Sequence, residues 1–218
     1  SSTFFIFSVL VNVGIVVSEY RRILLATRNI AKQRCLAWLF DGSDVVCITT
    51  DQVCMLAPEV LENDISHEDN ASRKAIEWSD AFGGLAISSD GGLVVPALEK
   101  SWNSLLTRRF SLIDDIQRAK DLLGLMKPLV GEQRLAYCVE SVAIANDGRL
   151  LGCLSEESGA GYIARDINID LIQDGFWVGG VWQFPEFHKF YGELTESELK
   201  QVGDHWTRLK DRILQWFS

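Results

Sequence analysis

The chain is expected to fold as one α/β domain, and three observations lead there. Its 218 residues are enough for one well-filled core and few for two. Short apolar runs alternate with longer amphipathic segments, the pattern of strands that feed helices. Two Asp-Gly turns between apolar runs add hairpins. A hydrophobic content of 47% and a charged content of 23% suit a folded globular protein.

Ile23 to Ala26 reads as a short buried strand, followed by a polar turn at Thr27 and Asn29 and a helix over Ile30 to Phe40. Asp44 to Thr49 is a second strand, and Asp51 to Ile65, with Pro58 inside, is loop-like. Ser66 and Asp69 form the capping box of a helix that continues through Ala71, Ala75, Ile76 and Trp78. Gly84 to Ser88 and Leu93 to Val95 read as a hairpin around Ser89-Asp90-Gly91-Gly92. A helix is expected from Ser111 to Met126, with Ser111 and Asp114 as its capping box. Arg134 to Ala145 and Arg149 to Leu154 form a second hairpin around Asn146-Asp147-Gly148. Gly175 to Trp182 is a glycine- and aromatic-rich loop. One last helix starts at a Thr195/Glu198 capping box and carries the stripe Leu199, Val202, Trp206, Leu209, Ile213 and Trp216.

The net charge of −9 argues against a nucleic-acid binder, which needs a basic footprint, but leaves room for a small anion held in a local cationic pocket. Five cysteines form no C-x-x-C pair and lie mostly in apolar runs, so buried thiols in a reducing, cytoplasmic setting are expected. Phe4 to Val17 is too short to span a bilayer comfortably. No membrane association is expected, and residues 1–20 read as an apolar arm or extra strand ahead of a domain over 21–218.

The turn after the first strand presents backbone N–H groups, the positive end of a helix dipole, Thr27, Asn29 and then Lys32, a combination suited to phosphate. The plain alternative is that Thr27 or Asn29 only caps the helix. Three further segments follow in order: Glu68-Asp69-Asn70-Ala71-Ser72-Arg73-Lys74-Ala75, Ser89-Asp90-Gly91-Gly92-Leu93-Val94-Val95-Pro96-Ala97-Leu98, and Phe190-Tyr191-Gly192-Glu193-Leu194 with Lys200 and His205. Together with Thr27 to Lys32, their order and spacing over roughly residues 21 to 210 resemble the inosine triphosphate pyrophosphatase family.

That resemblance implies a long, twisted mixed sheet flanked by helices, two lobes around a nucleotide cleft, and a homodimer. It implies hydrolysis of non-standard purine nucleoside triphosphates to monophosphate and pyrophosphate. Asp69 and Asp90 would hold Mg²⁺ and act in catalysis with Lys32. Thr27, Asn29, Lys32, Lys74, Gly91, Phe176, Lys200 and His205 would bind substrate. Three departures stand out: Ser89 replaces the first acid of a D-D pair, Phe176 to Gly180 replaces F-G-[YW]-D-P, and Trp206 follows the histidine where arginine is usual. With Ser89 unable to activate water, Glu68, Glu156, Glu157 or a metal-bound water is expected to serve as base. The alternatives are a nucleotide-binding or regulatory protein that has lost the chemistry, and an assembly protein using the apolar arm and the C-terminal helix.

Overall fold

The computed structural model describes residues 21–53, 56–60, 66–106, 114–173 and 175–216. The expected arm over residues 1–20, Cys54 and the Ser111 end of the expected third helix lie outside these residues.

Strand β1 (Arg21–Leu25) alternates its side chains between two cores. Ile23 and Leu25 pack with Leu36 of α1 (Ile30–Trp38) and with Leu39 just after it, whereas Leu24 packs with Trp78 of α2 (His67–Phe82) on the opposite face. Each helix starts where a side-chain oxygen meets a backbone N–H. Asn29 accepts from Lys32 N at 3.1 Å, and Ser66 accepts from Asp69 N at 3.0 Å.

β2 (Val45–Ile48) and β3 (Leu85–Val94) run parallel to β1 on its two sides, and β4 (Leu135–Asn146) runs antiparallel to β3 along nearly all of it. β5 (Arg149–Glu157) folds back on β4 through Asp147 and Gly148, both with positive φ (46° and 75°), as the Asn-Asp-Gly turn requires. β6 (Gly161–Ile163), β7 (Trp182–Phe184) and β8 (Lys189–Phe190) complete a mixed 8-stranded sheet of order β2-β1-β3-β4-β6-β7-β8, with β5 beside β4. Helix α3 (Asp115–Met126), capped by Asp114, covers the β6–β8 end. The C-terminal helices are α4 (Glu196–Gln201) and α5 (His205–Ile213). The expected single α/β domain is borne out. Among the described residues no helix is long and apolar enough to cross a membrane.

Two expectations need correction. Ser89-Asp90-Gly91-Gly92 is not a turn: β3 is continuous, and Asp90 and Gly91 face Ser141 and Glu140 of β4. The glycine allows close approach, since a Cβ on Gly91 would run into the Glu140 carboxylate and the Val139 carbonyl. The C-terminal helix is likewise two helices. Gly203, at φ +66°, ends the first, and Asp204 starts the second by accepting from Thr207 N at 2.9 Å.

A cleft forms because β1 stops before β3 does. The last β1–β3 pair is Leu25 with Ile87, and β3 then continues to Val94 with β4 as its strand neighbour among the described residues. On one side lies the core of β1, α1, α2 and α5. On the other lies a second core built around Leu93, Met126, Trp177 and Trp182. Ligands of open α/β sheets gather at such carboxyl ends of strands.

Candidate active site

The cleft has a volume of about 430 Å³ and is lined by the end of β1, the start of α1, the Ser89–Leu93 stretch of β3, part of β4, the Gly175–Val178 loop and the start of α5. Two lysines approach β3 and β4 from opposite faces of the sheet. Lys32, from α1, donates to Glu140 Oε1 at 2.8 Å. Lys74, from α2, donates to Asp90 Oδ1 at 2.8 Å and to the Ser89 carbonyl at 2.7 Å. His67 completes the grip on Asp90, its Nδ1 lying 2.7 Å from Oδ2.

Burial alone would raise the Asp90 carboxyl, but the His67 hydrogen bond and the charges of Lys74 and Lys32 outweigh it and hold it well below the usual carboxylate range. Asp90 is therefore ionised whenever the protein is folded near neutral pH. Burial also works against the charge on Lys32, yet Glu140 and Asp90 leave its pKa above the ordinary value. Cys35, on the same wall, is pushed up to about 12 mainly by burial, so its thiol keeps its proton.

The other end of the cleft is aromatic, with Phe176, Trp177, Trp206 and His205 on its walls. Phe176 is half-buried with its ring 5.5 Å from Tyr191. His205 is 2% exposed. His205 Nδ1 lies 3.3 Å from Asp204 Oδ1, while Ser89 Oγ is buried with no hydrogen-bond partner among the described residues. A polar atom so placed in a cleft wall is where a ligand group can bond without displacing a protein partner.

Of the residues expected at the site, Thr27, Asn29, Lys32, Lys74, Asp90, Gly91, Phe176 and His205 all line this cleft. Asn29 has little capacity left over. Its oxygen caps α1 and its amide donates to the Gly175 carbonyl at 3.1 Å, so it straps the 175 loop to the phosphate turn. Asp69 does not reach the cleft. It is exposed in the first turn of α2, because the side that points inward there carries His67 and Asn70. Lys200 is also outside, exposed on α4 with Glu196 3.7 Å away, because the break at Gly203 separates α4 from α5. Glu68 accepts from Ser155 Oγ, Glu156 pairs with Arg212 and Glu157 is exposed; none of the three lines the cleft.

Sequence reasoning missed His67 and Glu140. Glu140 had a usable signal, being a lone charge inside the apolar run Leu135–Asn146. His67 had none beyond following the cap.

Residues 23–209 match the Ham1 family. The chain belongs to that family. Over 196 residues it is 28% identical to the dITP/XTP pyrophosphatase of Lactiplantibacillus plantarum, covering 89% of this chain and 94% of that protein. Over 201 residues it is 30% identical to the dITP/XTP pyrophosphatase of Geobacillus kaustophilus, covering 90% and 94%. The structure of a HAM1 protein from Coxiella burnetii aligns with a TM-score of 0.70 at 20% identity, covering 89% of this chain and 99% of that one, a likeness of fold. The resemblance read from the motifs is borne out by the family match.

Proposed function

We propose that this Ham1-family chain is a nucleoside triphosphate pyrophosphatase acting on non-standard purine nucleotides such as dITP and XTP. One observation carries the reading: two lysines from opposite faces of the sheet reach neighbouring strands at the cleft, Lys32 at Glu140 of β4 and Lys74 at Asp90 of β3, beside an aromatic hollow. Relatives named dITP/XTP pyrophosphatase and spanning nearly the same length support it.

In this reading water attacks the α-phosphorus, the α–β bridging P–O bond breaks, pyrophosphate leaves with the bond's electrons, and the proton lost by the water passes to solvent. Lys32 and Lys74 hold phosphate oxygens as point charges. Phe176, Trp177 and Trp206 enclose the base, with His205 on the same wall. Asp90 stays ionised and can only accept hydrogen bonds, so it orients the attacking water.

The donor set also fits a magnesium ion that arrives with the triphosphate. Asp90 offers a hard oxygen in the cleft and would hold the ion in place of the expected Asp69. Among the described residues no cluster of three or more His, Cys, Asp or Glu groups forms a protein cage, so phosphate oxygens and water would complete the shell. When bound, the ion would offset the charge that builds on the leaving pyrophosphate. A homodimer and a cytoplasmic setting belong to the same proposal.

The test is pyrophosphate release from dITP, XTP and the standard triphosphates with saturating Mg²⁺, for wild type and Asp90→Asn. Turnover of dITP and XTP that vanishes in Asp90→Asn supports the reading. No turnover with any nucleotide rejects it. Tight nucleotide binding without turnover would favour the regulatory alternative, which the serine at position 89 supports.

A further inference from the structure

We propose that His67 is a positioning residue for Asp90, an inference that rests on the pyrophosphatase reading above. His67 and Lys74 sit about two turns apart on the same face of α2 and take one carboxylate oxygen each. The ring is itself held on its far side, with Nε2 3.2 Å from Ser104 Oγ. Three elements thus meet at this carboxylate: β3 carries it, α2 grips it twice, and the Ser104 turn steadies the grip.

Asp90 needs this support because of its neighbours. It is followed by Gly91 and Gly92, which bring no side chain to pack against it. Without His67, Oδ2 would lose its partner and the carboxylate would be left with the single anchor of Lys74, around which it can swing. An ionised carboxylate has no proton to give, so Nδ1 carries the hydrogen and donates, with Ser104 Oγ as the partner of Nε2. In a mere packing role the ring would only fill space at the start of α2, and its tautomer and its partner would be immaterial.

The test uses the full chain as wild type, His67→Ala, His67→Asn, Ser104→Ala and Asp90→Asn. Removing an outer partner of a site carboxylate typically costs about 10- to 100-fold in activity or metal affinity. His67→Ala should therefore lower kcat for dITP by at least about ten-fold, with KM within about two-fold of wild type. His67→Asn, which keeps a donor near the Nδ1 position, should recover most of the loss. Ser104→Ala should fall in between. A kcat unchanged in a folded His67→Ala, or no recovery in His67→Asn, overturns the inference.

A second readout does not need turnover. Long-range proton–nitrogen spectra of histidine-labelled protein should show His67 protonated at Nδ1, with that resonance displaced in Asp90→Asn. An unprotonated Nδ1, or one indifferent to Asp90→Asn, overturns it as well. A wild type that hydrolyses no nucleotide would defeat the pyrophosphatase reading, while these spectra would still decide whether His67 holds Asp90.

Discussion

Lys32 and Glu140 form an ion pair at the margin of solvent, their side chains 24% and 7% exposed. The two ends are unequal. Removing the lysine leaves a buried carboxylate without its cation, so Lys32→Met should destabilise the fold by about 2–3 kcal/mol in urea unfolding. Lys32→Met combined with Glu140→Gln removes both charges and should cost less than the sum of the single changes. Strict additivity would show that the two groups do not depend on each other. The glycine opposite is equally constrained. Gly91→Ala should separate β3 from β4 at the cleft and abolish activity, which pyrophosphate release would show; unchanged activity would mean that the strand can give way there. Asp90 and the two lysines could be found in the sequence because they sit in ordered motifs. His67 could not, since its importance comes from an approach in space to a residue 23 positions away.

The C-terminal segment carries an apolar stripe whose spacing suits one long helix, and that periodicity conceals the break. Val202 packs into the core around Trp182, whereas Trp206, Leu209 and Ile213 pack into the core around β1. One straight helix would have to serve both lobes. Gly203 lets the chain redirect between them at φ +66°, with the Arg208 guanidinium close against it. Gly203→Ala forces a Cβ into the left-handed region and should cost at least about 1 kcal/mol, lowering Tm by a few degrees. A variant as stable as wild type would mean the two helices can merge. The misread of β3 has a related cause. Asp-Gly-Gly is a strong turn signal locally, but β4 is 12 residues long and pairs with all 10 residues of β3, so a long-range ladder overrides the local preference. Caps at Asn29, Ser66 and Thr195 were legible because each needs only a contact within one helical turn, whereas Asp114, expected inside the first turn of its helix, is itself the cap.

At the scale of the molecule, charge sets the response to acid. The chain has 30 acidic and 21 basic residues, so mild acidification first relieves repulsion among exposed carboxylates and should leave stability nearly unchanged down to about pH 5. Below that, Asp90 works in the opposite direction. In the unfolded chain it takes up a proton as pH falls through about 4, while in the folded protein His67, Lys74 and Lys32 keep it ionised to much lower pH. Its stabilisation is therefore complete above the ordinary carboxylate pKa and is lost as pH falls towards the depressed folded one. Asp204, buried but also lowered by His205 and Tyr191, adds to the same loss. Each such group contributes a slope approaching about 1.4 kcal/mol per pH unit in that window. Urea unfolding from pH 7 to pH 2.5 should show a plateau and then a steep decline for wild type. Asp90→Asn should lower the plateau, because His67 and Lys74 lose their anion, and should make the decline shallower by nearly one proton. An equal slope in the two proteins would mean that Asp90 is not held ionised by the groups around it, and the electrostatic picture of the cleft would fail with it.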